Sequence, residues 1–70
     1  MIEEYKKSIA KMKELGYNED FIKDMEETLE SGRDIPSVER VEQWAKTFPD
    51  SIKTEYGCGN FLMWADGDFD

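Results

Sequence analysis

The stretch that decides the fold runs from Ser51 to Ala65 and reads Ser-Ile-Lys-Thr-Glu-Tyr-Gly-Cys-Gly-Asn-Phe-Leu-Met-Trp-Ala. Ile52, Thr54 and Tyr56 alternate with Lys53 and Glu55, the period-two pattern of a half-buried strand. Gly57-Cys58-Gly59-Asn60 has turn composition, and Phe61 to Ala65 is a short apolar run suited to a partner strand. This reading predicts a C-terminal β-hairpin over residues 51–65. The competing reading is a fourth helix over residues 50–56, capped by Asp50, which makes the chain all-α. A two-stranded hairpin is not stable alone in water, so it has to lean on a helix. Trp44, Phe48, Tyr56, Phe61 and Trp64 are the natural meeting point, unless some of them face outward as anchors for a partner.

Upstream the period is helical. Ile2, Tyr5, Ile9, Met12 and Leu15 form an apolar stripe at steps of three and four, with lysines on the opposite face. Gly16 stands where a left-handed residue ends a helix, and Asn18 is a good N-cap for the next one. Glu19 and Asp20 suit the positive end of that second helix, and Tyr17 with Ile22 fits a hydrophobic staple. Phe21, Ile22, Met25 and Leu29 carry its apolar face up to Gly32. Ile35-Pro36 blocks helix, Ser37 caps a third one, and Val38, Val41, Trp44, Ala45 and Phe48 line it until Pro49. The expected class is α+β and mainly α, in one domain. It comprises an antiparallel helical hairpin (2–15 and 19–31), a third helix (38–48), the β-hairpin and an acidic tail over 66–70.

Composition narrows the chemistry. The 70 residues hold 17 acids and 9 bases for a net charge of −8, with no histidine and one cysteine. Without histidine there is no Ser-His-Asp triad, Cys-His dyad, imidazole base or His-ligated zinc. One cysteine gives no internal disulfide and no Cys-rich metal site. Phe61 to Ala65 falls far short of the ~18 apolar residues of a membrane span, and the N-terminal lysines adjoin no apolar block of a secretory signal. The expected location is the cytoplasm. Paired carboxylates can serve as general acid and base, but such work needs a cleft that shifts one pKa, and a domain of this size has little volume for one. The expectation is a non-enzyme with no cofactor.

The charge is unevenly spread. Residues 16–34 hold seven acids against two bases, and residues 50–70 hold five acids against one lysine. On the second helix Asp20, Asp24 and Glu27 recur at steps of four and three, so they line one face, and Glu19, Glu26 and Glu30 form a row beside it. Like charges at these steps are mildly destabilising, and their spacing approximates the interval between phosphates of a nucleic-acid strand. The candidate partner-binding residues are therefore Asp20, Asp24, Glu26, Glu27 and Glu30, with Asp66 and Asp68 as a second patch. Asp66, Asp68 and Asp70 match the first three ligands of a calcium loop, but the chain ends before the glycine and glutamate that such a loop requires, so no metal site is expected. Cys58, between two glycines, reads as an inert turn or core cysteine.

Acids flanking Phe69 resemble the acidic, Phe-bearing tails of single-stranded-DNA-binding proteins, which dock on basic partner surfaces. In length and acidity the chain is similar to phage-encoded inhibitors of host defence of the anti-CRISPR and anti-restriction kind, a likeness of composition that rests on no shared motif. The leading expectation is a non-catalytic protein-binding module. In its most concrete form it is an inhibitor that occupies a basic, nucleic-acid-binding surface of a larger protein by charge mimicry. Direct binding to nucleic acid or to a membrane is not expected, because −8 repels phosphates and anionic lipid. The alternative is a structural or assembly protein that self-associates through the first helix, whose 3-4-3 steps suit a short coiled-coil seam. Mimicry is compatible with a monomer or a weak homodimer.

Overall fold

A computed structural model describes residues 2–67. The chain passes through four α-helices, α1 (Ile2–Leu15), α2 (Glu19–Ser31), α3 (Val38–Thr47) and α4 (Glu55–Ala65), with one 3-10 turn, Ser51–Lys53, between the last two. Helix α1 packs against both α2 and α3, and the 3-10 turn packs on α4. None of the helices is long and apolar enough to cross a membrane.

The first three helices end where local chemistry ends them. Gly16 takes a left-handed φ of 88°. In that conformation the Tyr17 N–H reaches back to the Met12 carbonyl at 3.0 Å and satisfies an orphaned acceptor of α1. Asn18 caps α2 by accepting the Phe21 N–H on its side-chain oxygen at 3.0 Å, and Ser37 caps α3 by accepting the Arg40 N–H at 3.3 Å. Helix α3 stops at Thr47, one residue short of the expected end, because Phe48 already leaves the helical region at φ −130°, with Pro49 behind it.

The expected β-hairpin over 51–65 is not formed, and there is no strand among the described residues; the all-α alternative fits. The fourth helix does not lie over 50–56, however, and Asp50 makes no side-chain cap bond. Thr54 is the cap, accepting the Gly57 N–H at 3.0 Å, and the helix runs on through Gly57 and Gly59. Each residue of the alternating pattern serves another purpose. Ile52 is buried from within the 3-10 turn, Thr54 is a cap, and Tyr56 faces solvent. Gly57 is not a turn glycine: a Cβ there would overlap the Ser51 carbonyl, so its absence lets α4 sit directly on the 3-10 turn. Cys58 and Phe61, both fully buried, with Ala65 packed against the same core, lie at steps of three and four and form the helical stripe of this segment.

Asn18 also ties the C-terminal half to the helical hairpin. Its backbone N–H donates to the Ile52 carbonyl at 2.7 Å and its amide nitrogen to the Lys53 carbonyl at 3.3 Å. The core closes around Phe61, whose ring meets Tyr17 at 5.5 Å and 68° and Phe21 at 6.2 Å and 75°, both edge-to-face. The Tyr17 hydroxyl donates to the Val41 carbonyl at 2.6 Å, and the Cys58 thiol to the Ile52 carbonyl at 3.2 Å.

Burial holds the Tyr17 phenol protonated well above its ordinary range. It also pushes the Cys58 thiol up, with the Glu55 charge adding to the shift and a hydrogen bond from the Asn18 backbone opposing it. Both groups lose their protons first in the unfolded chain. Their contribution is therefore complete below the unfolded pKa values, about 8.5 and 10, and is lost progressively as pH climbs from there through the raised folded values. Tyr5, raised by its hydrogen bond to Asp34, and Lys11, raised by Glu14, act in the same direction from the surface, where solvent screens them. Urea midpoints followed by circular dichroism under reducing conditions should be level near neutrality and fall steadily above about pH 9. Tyr17→Phe should cost about 1 kcal/mol at neutral pH and flatten the upper part of that decline. An equally steep decline in Tyr17→Phe would show that the phenol is not responsible.

Candidate interaction surfaces

Asp20, Asp24, Glu26, Glu27 and Glu30 all reach solvent on α2, and Asp66 is exposed just past the end of α4; Asp68 lies outside the described residues. The two rows expected on α2 are distinct in their surroundings. Glu26 pairs with Lys13 of α1 at 3.2 Å, which turns the Glu19–Glu26–Glu30 row toward α1. The Asp20–Asp24–Glu27 row lies beside it, about 100° farther round α2. Asp20, Asp24, Glu27 and Glu30 form no ion pair among the described residues. They are nevertheless not a uniform sheet of negative charge. Asp20 shares a shallow depression with Lys13 and Lys53, and Asp24 and Glu27 line another together with Arg33. Elsewhere Lys11 pairs with Glu14 at 2.9 Å and with Glu42 at 3.7 Å.

The aromatic residues divide between the two roles weighed from sequence. Phe61 and Trp44 are interior and Trp64 is half-buried. Trp44 stacks at 4.5 Å on Phe48 and at 5.5 Å on Trp64, with the Arg40 guanidinium 5.6 Å from the Trp64 ring centroid. Phe48 is 48% exposed, and Tyr56 is 83% exposed with nothing packed over it. The buried Trp44 indole nitrogen has no hydrogen-bond partner among the described residues. The apolar stripe of α1 turns inward: Ile9 and Met12 belong to the core, and Tyr5, half-buried against it, sends its hydroxyl to Asp34 at 2.8 Å.

Sequence reasoning missed the outer face of α4. Tyr56 and Met63, the latter 46% exposed, stand seven residues apart and so lie along one line of the helix, with Gly59 and Asn60 between them. No charged residue interrupts that face between Glu55 and Asp66. The signal was present as a seven-residue spacing, but it carries meaning only once the segment is read as a helix. Among the described residues no group of three or more His, Cys, Asp or Glu side chains is gathered in a way that could hold a metal ion. Compared with known proteins, the chain matches no family model, no curated protein and no solved structure.

Proposed function

We propose that the chain is a non-catalytic assembly module, a small helical domain whose work is to fit against another protein surface. The observation that supports this reading is the exposed Tyr56 and Met63 on an uncharged face of a helix whose other side is core. Large aromatic and flexible thioether side chains left in water on one line are the usual material of protein contacts. The α1 seam is a weaker basis for self-association, since Ile9 and Met12 are already used inside the domain. The outer face of α4 offers two exposed large side chains on one line for such contacts.

A second reading keeps charge mimicry, because Asp20, Asp24, Glu27 and Glu30 stay outside the ion pairs. Salt separates the two. The immobilised chain is exposed to lysate at low and at high salt, with and without duplex DNA as competitor, while its own mass is followed by sedimentation across concentration. Assembly through α4 predicts association that survives high salt, ignores DNA and is lost in the Tyr56→Ser, Met63→Ser double variant. Mimicry predicts capture that is salt-labile, competed by DNA and lost in the Asp24→Lys, Glu27→Lys double variant. A monomer that captures nothing at either salt would overturn both.

A further inference from the structure

We infer that the outer strip of α4 receives a cationic amphipathic helix of a partner protein. This inference rests on the assembly reading and names the occupant. Tyr56 and Met63 mark the two ends of the strip, two turns apart, so the strip is about 10 Å long at 1.5 Å per residue, room for roughly two turns of a partner helix. Between the anchors stands Gly59, where even an added Cβ would meet nothing within 4 Å, so a partner backbone can approach closely there. One border is aromatic. Trp64 forms it, half-buried against Trp44, whose other neighbour is the Phe48 ring at 4.5 Å.

Charge selects among occupants. Glu55 and Asp66 bracket the strip at its two ends. Of the cations near α4, Arg40 is engaged over Trp64, and Lys53 lies in the 3-10 turn, where its carbonyl meets the Asn18 amide. A second copy would bring another chain of charge −8, with its own Glu55 and Asp66, against the same rim. A helix with apolar anchors and flanking lysines or arginines instead meets Tyr56 and Met63 with its apolar face and the acidic rim with its charges.

The test titrates the full chain with a synthetic Leu/Lys peptide of helical period and with a Leu/Glu peptide of the same pattern. Calorimetry and the intrinsic fluorescence of Trp44 and Trp64 are the readouts, and sedimentation of the chain alone runs in parallel. The expected result is binding of the Leu/Lys peptide only, weakened about tenfold or more in the Tyr56→Ser, Met63→Ser double variant. Both positions are exposed, and an unchanged thermal melt verifies that the variant is folded. Equal affinity of the double variant, or no binding of the Leu/Lys peptide to the parent chain, overturns the inference. Self-association of the parent chain that the double variant abolishes also overturns it, since it places a second copy on the strip, while leaving the assembly reading in force.

Discussion

Truncating Phe61 to alanine is expected to cost about 3–5 kcal/mol, the range for removing a fully buried aromatic ring. The position is unusually connected for so small a domain. Its ring lies edge-on to Tyr17 from the α1–α2 loop and to Phe21 from α2, and packs at 6.0 Å on Trp44 from α3 and at 6.4 Å on Trp64 from its own helix. Removing it therefore withdraws aromatic contacts from the α1–α2 loop, α2, α3 and α4 at once, each pair adding about 0.5–1.5 kcal/mol beyond its buried area. At about 0.05–0.15 kcal/mol per residue, a domain of 70 residues has roughly 4–10 kcal/mol in total. The loss is thus comparable with the whole. Circular dichroism and tryptophan fluorescence should show Phe61→Ala largely unfolded or melting far below the parent, with Phe61→Leu falling between them. A loss under about 1 kcal/mol would mean that the ring is not the centre of the core.

What was legible in the sequence follows from where each piece of information is stored. The bounds of α1 and α2 are written in local chemistry. Gly16 and Asn18 act within a turn of their own position, and the apolar stripes agree with them. The C-terminal stretch failed because its decisive facts are tertiary. Gly57 is required by a carbonyl six residues back, and Ile52 is held by the Asn18 backbone more than thirty residues away. Neither requirement has a local signature, whereas two glycines around Cys58 have a strong and misleading one. The acidic rows of α2 were legible because they depend only on helical period. Their partners, Lys13 for Glu26 and the shared depressions with Lys53 and Arg33, depend on packing and were not. The strip from Tyr56 to Met63 was hidden by the same misreading that hid α4, since a period of seven is invisible to a reader counting in twos.

The two glycines of α4 give the second large effect. Gly57→Ala is expected to destabilise the domain by about 2–3 kcal/mol, whereas Gly59→Ala should stabilise it by about 0.5–1 kcal/mol. Alanine improves helix propensity equally at both positions, so the difference between the variants isolates what each new methyl group meets. At Gly59 it meets nothing within 4 Å. At Gly57 it meets the Ser51 backbone carbonyl, which cannot swing aside as a flexible side chain would. Relief requires the 3-10 turn to move, and that turn is anchored on both sides. The Ile52 carbonyl accepts from Asn18 and Cys58, and the Lys53 carbonyl accepts from the Asn18 side chain. The Thr54 cap that starts α4 follows directly, so a shift of the turn also strains a bond worth about 1 kcal/mol. Urea denaturation of the two variants beside the parent measures the contrast. A gain at Gly57 equal to that at Gly59 would mean that α4 does not rest on Ser51.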